Sequence, residues 1–275
     1  MYLQLRTRRI ELDAPVVMGI VNVTPDSFSD GGLWADAGRA SARARELAGE
    51  GASILDIGGE STRPGAGPVG EAEELGRVIP VVRSAAATGL PVSVDTAKPD
   101  VMRAAADAGA EFINDVRALR APGALEAAAQ SGCGVCLMHM LGEPRTMQQA
   151  PAYDDVVEEV YAFLAGRIEA AVAAGIPEDR IAVDPGFGFG KSLEHNLALM
   201  RRLERFGALG RPLLVGVSRM SMIGAVTGRP VDGRLAGGLA LAALAVAEGE
   251  RIVRTHDVAP TLDAVRMAAA VVAAG

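Results

Sequence analysis

The chain has 275 residues, 49% of them hydrophobic and 22% charged, with a formal net charge of −7 and an isoelectric point near 5.1. That length and apolar content suffice for a large core and match a β/α barrel better than a chain of two domains, so one domain spanning residues 1–275 is expected. The acidic balance excludes a nucleic-acid or anionic-membrane surface, and any anion must be bound locally.

Only Lys98 and Lys191 among the 27 basic residues are lysines, the rest being arginines. Arg6, Arg8 and Arg9 resemble the start of a signal peptide, but the apolar run that follows is broken by Asn22 and lacks a small-residue cleavage site. No segment approaches the length of a membrane span, so a cytoplasmic protein is expected. Cys133 and Cys136 form a lone C-x-x-C with no second pair. Positions three apart on a strand face opposite ways, so two buried thiols are expected rather than a metal or redox pair.

In chain order, Val16 to Val23 is a near-continuous apolar run, suited to a strand covered on both faces, with the amide of Asn22 near its end. A polar loop, Thr24 to Gly32, follows. Ala37, Ala40, Ala44, Leu47 and Ala48 mark a helix behind an Asp36 cap, ending at Gly49 to Gly51. Strands are then predicted over Ser53 to Ile57, Pro91 to Asp95, Phe112 to Asn114, Gly134 to Met138, Ile181 to Asp184, Leu213 to Val217 and Arg251 to Arg254. Helices are predicted over Glu71 to Ala87, Pro99 to Ala108, Pro122 to Gln130, Tyr153 to Ala174, Leu193 to Phe206, Leu235 to Glu248 and Val258 to Ala273. Eight strands alternating with eight helices is the stoichiometry of a (β/α)8 TIM barrel, with a doubly wound open sheet as the alternative.

Every strand end carries a polar group: Asn22, Asp56 with Glu60, Asp95, Asn114 with Asp115, His139, Asp184, Ser218 with Arg219, and Arg254 with His256. On a barrel these collect at one face, where catalytic residues lie. Asp95, Asn114 and Asp184 supply two carboxylates and an amide, suited to a flat heterocycle with adjacent N–H donors. Arg63, Arg254 and His256 can gather around phosphate. Asp184 to Ser192, DPGFGFGKS, is not a phosphate-binding P-loop, because proline stands where its first glycine belongs; a tight turn that lets backbone approach a ligand, or a purely structural turn, is expected instead. His139, between Met138 and Met140, suits the core somewhat better than a ligand site, and three histidines are too few for a histidine-built zinc site.

These residues belong to longer motifs: NVTPDSFSDGG at Asn22 to Gly32, DIGGESTRPGA at Asp56 to Ala66, SVDT at Ser93 to Thr96, IND at Ile113 to Asp115, LMHM at Leu137 to Met140, DPGFGFGK at Asp184 to Lys191 and RTHDV at Arg254 to Val258. Together they resemble the dihydropteroate synthases, the folate-pathway transferases that sulfonamides target. The resemblance implies a homodimeric barrel joining 4-aminobenzoate to 6-hydroxymethyl-7,8-dihydropterin pyrophosphate, with Mg2+ present and pyrophosphate released. It implies that Asp95, Asn114, Met138, Asp184 and residue 220 hold the pterin, and that Thr62, Pro64, Phe189, Ser218 and Arg219 line the aminobenzoate pocket. Asn22 would ligate Mg2+, and Ser61, Thr62, Arg63, Arg254 and His256 would join it around the pyrophosphate. The loops Thr24 to Gly32 and Glu60 to Gly67 would close over the site.

One position departs from the family. Its Ser-Arg-Lys motif here reads Ser218-Arg219-Met220, so the lysine expected to reach the pterin carbonyl is a thioether. Two rival readings follow: a barrel of this kind that binds pterin but turns over poorly, and a pterin methyltransferase, which would lack the TPDSFSDGG and STRPGA loops.

Overall fold

The computed structural model describes residues 1–23, 32–61, 66–143 and 146–274, with the backbone alone for 32–36. The chain opens with an antiparallel hairpin, β1 (Tyr2–Gln4) and β2 (Arg9–Glu11). Eight parallel strands follow: β3 (Val16–Asn22), β4 (Ile54–Gly58), β5 (Val92–Asp95), β6 (Phe112–Asp115), β7 (Gly134–Met138), β8 (Ile181–Asp184), β9 (Leu214–Gly216) and β10 (Ile252–Thr255). Their order is β8-β7-β6-β5-β4-β3-β10-β9. A parallel bridge between Val183 and Leu213, with Val183 N donating to Pro212 O at 3.0 Å, joins the two ends. The ring therefore closes, and the expected barrel, not the open sheet, is what forms.

Nine helices are described: α1 (Gly32–Gly49), α2 (Glu71–Ala86), α3 (Pro99–Asp107), α4 (Ala124–Ser131), α5 (Val156–Ala173), α6 (Leu193–Arg201), α7 (Ser221–Thr227), α8 (Leu235–Ala247) and α9 (Val258–Ala273). The expected strands agree with these to within two residues. Three helices depart further. The first begins at Gly32, so Asp36 lies inside it and does not cap it. The helix expected from Tyr153 starts at Val156, because Asp155 accepts from Val157 N and Glu158 N at 2.9 and 3.3 Å and so caps it there. The helix expected to reach Phe206 stops at Arg201 and continues as 3-10 turns over Leu203–Leu209. The hairpin and the seven-residue α7 were not expected, since elements of three to seven residues are too short to show a period.

Alternation along each strand sorts the barrel interior from the helix-facing surface. Val16, Met18, Ile54, Phe112, Cys136, Ala182, Leu214 and Ile252 form an inner apolar cluster, and Leu3, Leu5, Ile10 and Leu12 of the hairpin pack against it, plugging the N-terminal end. Outward-facing residues such as Val17, Leu55, Val94, Ile113 and Val183 join the larger cluster beneath the helices. Cys136 belongs to the inner cluster and Cys133 to the outer one, so the two buried free thiols do face opposite ways. Among the described residues, no helix is long and apolar enough to cross a membrane.

Replacing the fully buried Leu5 with alanine removes a plug contact without touching the opposite face. Urea unfolding is expected to show a loss of about 2–4 kcal/mol.

Candidate active site

Two residues along each strand from the apolar layer, the inward phase turns polar. It brings together Asp56, Ser93, Asn114, Asp184 and Arg254, with Asn22 and Asp95 one step further out at the strand ends. Arg254 lies among the carboxylates. Its Nε donates to Asp56 Oδ2 at 2.6 Å and its Nη2 to Asp95 Oδ2 at 2.7 Å. Asn114 Nδ2 donates to the same Asp56 oxygen at 3.2 Å. Asp56 is fully buried. Among the described residues, Asp56 Oδ1, Ser93 Oγ and Asn114 Oδ1 are buried with no hydrogen-bond partner.

Burial pushes the Asp95 carboxyl up to about 7, against the pull of Arg254. Burial likewise raises Asp184 to about 6, although its Oδ1 accepts from Gly186 N at 2.7 Å. The Arg254 guanidinium loses hydration, but the surrounding carboxylates more than offset that and hold it protonated. The layer is thus rich in acceptors whose charge is incompletely balanced, a setting that favours a ligand bringing several N–H donors.

Strand parity also removes two sequence candidates. Asp115 faces away from the barrel axis, accepting from Arg117 N at 2.7 Å and Leu119 N at 2.8 Å, and so caps a turn in which Ala118 and Leu119 are left-handed. His139 is buried, with Nδ1 2.9 Å from Lys191 Nζ. Burial and then the neighbouring ammonium hold its pKa near 3. Lys191 also donates to Gly186 O at 2.8 Å and Phe189 O at 3.0 Å. His139 O lies within reach as well, at 3.4 Å, and burial pulls the Lys191 pKa down to about 7.

Lys191 thereby fastens the loop after β8. Gly186 in that loop, at φ 69°, passes so close to the His139 carbonyl that a side chain has no room. Gly190, at φ 66°, likewise passes close to the Leu141 backbone, so Gly186 and Gly190 each allow two chain segments to approach. Gly188 lies under the methyl of Met220, and its carbonyl accepts from Gln148 Nε2. Phe189, half-buried, packs against Val116, Met138, Met140 and Met147.

The loops after β9 and β10 are tied together. Ser218 Oγ lies 3.0 Å from His256 Nδ1 and accepts from His256 N at 3.2 Å. Arg219 is left-handed at φ 59° and donates to Asp257 Oδ1 at 2.7 Å. The side chain of Asn22, half-buried at the end of β3, makes no hydrogen bond among the described residues. Ser61 is described and partnered, whereas Thr62, Arg63 and Pro64, and residues 24–31 of the loop after β3, lie outside the described residues. At the root of the loop after β4, Glu60 accepts from Val69 N at 3.2 Å and from Lys98, which also reaches the buried Glu74. No group of three His, Cys, Asp or Glu that could hold a metal occurs among the described residues.

Residues 18–256 match the model of the pterin binding enzymes. A dihydropteroate synthase of Escherichia coli (strain K12) is 51% identical over 266 residues, covering 96% of this chain and 94% of that relative. The chain belongs to the dihydropteroate synthase family. Among solved structures of that family, a Yersinia pestis dihydropteroate synthase with a sulfonamide drug complex superposes with a TM-score of 0.94 at 48% identity, covering 98% of this chain and 99% of its own. A Xanthomonas albilineans dihydropteroate synthase with 4-aminobenzoic acid gives 0.93 at 54% identity, covering 98% and 97%.

For a dihydropteroate synthase, the most informative residues that sequence reasoning left without a role are Asp56, Lys98 and Lys191. A usable signal for the lysines was present: an arginine-rich chain keeps lysine at two positions only, and both turn out to fasten a loop where a compact three-proton donor fits.

The raised Asp184 pKa has a sign that can be tested. A carboxyl whose folded pKa exceeds its unfolded value of about 3.9 binds more protons when folded, so its contribution to stability falls as pH rises between the two values. In denaturant titrations of the ligand-free protein, wild type is expected to lose stability relative to Asp184→Asn from about pH 4 to about pH 6, then to run parallel to it.

Proposed function

We propose that this chain carries the family reaction, condensing 6-hydroxymethyl-7,8-dihydropterin pyrophosphate with 4-aminobenzoate, and that the inward polar layer is its pterin pocket. The observation that carries the reading is the unbalanced acceptor set of Asp95, Asn114 and Asp184 at the C-terminal end of a closed barrel. A pterin offers an amino group and ring N–H groups along one edge, the donor-rich face such a set requires. Met138 supplies an apolar wall.

Asn22, Ser61, Thr62, Arg63, Arg254 and His256 are assigned to the pyrophosphate. Thr62, Pro64, Phe189, Ser218 and Arg219 are assigned to 4-aminobenzoate, the compound bound in the Xanthomonas albilineans relative. Arg254 is assigned to the junction of the two halves. Two of its donors are engaged by Asp56 and Asp95, and the others are left for phosphate oxygens. No side chain need form a covalent intermediate, because the arylamine is itself the nucleophile. The protein's tasks are to align it with the pterin methylene and to favour departure of the pyrophosphate.

Asn22 fits Mg2+ only as one oxygen ligand of an ion that arrives with the pyrophosphate, since no carboxylate cluster accompanies it among the described residues. When bound, Mg2+ neutralises charge on the leaving group. We assign homodimerisation to α8 and α9, where Leu244, Met267, Val271 and Val272 are exposed. Analytical ultracentrifugation is expected to show a dimer that Met267→Glu combined with Val271→Glu converts to monomer.

The deciding assay is release of pyrophosphate that requires both 4-aminobenzoate and Mg2+; pterin binding without such release would favour the reading of a weakened, pterin-binding homologue. Met220 supports that second reading, because its methyl rests on Gly188 and cannot donate to a pterin carbonyl. A charge-assisted hydrogen bond contributes roughly 1.5–3 kcal/mol, equivalent to about 10- to 100-fold in rate. Met220→Lys is expected to raise kcat/KM for the pterin pyrophosphate at least tenfold. An unchanged value would mean that thioether packing suffices.

A further inference from the structure

From the polar layer we infer that Asp56, to which the family reading gives no role, is a positioning residue that sets which end of the Asn114 amide meets the substrate. The inference rests on the pterin reading of the pocket.

Asp56 lies on β4 in the inward phase, fully buried, two residues beyond the apolar Ile54. One of its oxygens, Oδ2, receives both Arg254 Nε at 2.6 Å and Asn114 Nδ2 at 3.2 Å. That oxygen accepts from the guanidinium, so it meets Asn114 as an acceptor too. An amide facing a carboxylate must turn its NH2 end toward it, since the carbonyl end would set two acceptors together. Asn114 Oδ1 is therefore held away from Asp56, and like Asp56 Oδ1 and Ser93 Oγ it is buried without a partner among the described residues. Asp95 and Asp184 can only accept when ionised, whereas an amide can present either end. Asp56 makes the third member an acceptor as well, so all three present acceptors to the amino and ring N–H groups of the edge. A heterocycle with an acceptor at the Asn114 position leaves that oxygen unpaired in a buried site and is rejected. Asp56 also holds the Nε side of Arg254, which reaches Asp95 with Nη2, so one carboxylate orients two residues assigned to substrate.

The test compares wild type with Asp56→Asn, Asn114→Asp and the double variant that carries both substitutions. It reads the Kd of the pterin pyrophosphate by calorimetry without 4-aminobenzoate, the KM for 4-aminobenzoate, and Tm. In Asp56→Asn the Asn114 amide loses its orienting charge, and Kd is expected to rise at least tenfold while KM for 4-aminobenzoate stays within threefold. Asn114→Asp sets two carboxylates against each other and is expected to weaken pterin binding to a similar degree. In the double variant, the new amide at position 56 donates to the new carboxylate at position 114, whose other oxygen still faces substrate. Its Kd is expected to be at least fivefold tighter than that of the weaker single variant. Unchanged pterin affinity in Asp56→Asn, or a double variant no tighter than the singles, overturns the inference. If Asp56→Asn does not fold, unchanged affinity in Asn114→Asp overturns it. A purely structural role lowers Tm and leaves the Kd of folded protein unmoved. Failure of the pterin reading shows separately, as wild type that does not bind the pterin pyrophosphate.

Discussion

One guanidinium, that of Arg254, holds carboxylates from two other strands together at the level where the barrel interior stops being apolar. Taking three charges out of water costs more than their pairing returns, so such a cluster is weak evidence of selection for stability. Beneath it the barrel is filled by Met18, Ile54, Phe112, Leu214 and Ile252 and closed by the hairpin leucines, a layer that supplies the core without polar atoms. The apolar plug at one end permits an electrostatically expensive site at the other. Without Arg254, the carboxylates of Asp56 and Asp95 would face each other across neighbouring strands with nothing between them to offset their repulsion.

The loops around this layer are fastened from outside it. Lys191 draws the chain after β8 onto His139 and the carbonyls of Gly186 and Phe189, and thus sets where Asp184 ends its strand. Lys98 and Glu60 do the same at the root of the loop after β4. Ser218 with His256, and Arg219 with Asp257, join the loops after β9 and β10. Each fastening is polar and local, so the rim is shaped by hydrogen bonds while the wall is shaped by packing.

Much of this is legible in the sequence. The strands are visible as short apolar runs, and the polar residues recurring at their ends locate the catalytic face. Asp95, Asn114, Asp184 and Arg254 do converge there. Arg254 pairs with Asp95 across β3 and β4, a contact between positions 159 residues apart that no local pattern shows. Neighbouring pairs were also unsorted: Asn114 and Asp115 read alike in sequence, yet one faces the axis and the other caps a turn, a distinction set by strand register.

Local spacing and residue chemistry by themselves determined the alternation of strands and helices, the family motifs, the end of the barrel that carries the site, and the odd position, Met220. These are properties of short stretches of chain. Only the tertiary structure decided which polar residues pair, that His139 and Lys191 serve the loop scaffold, that the N-terminal arginine-rich segment is a hairpin plugging the barrel, and that Asp56 stands beneath the amide of Asn114. Those outcomes depend on barrel closure, which brings strands far apart in sequence within hydrogen-bonding distance and buries their charges, and no local pattern encodes the partners that burial then requires.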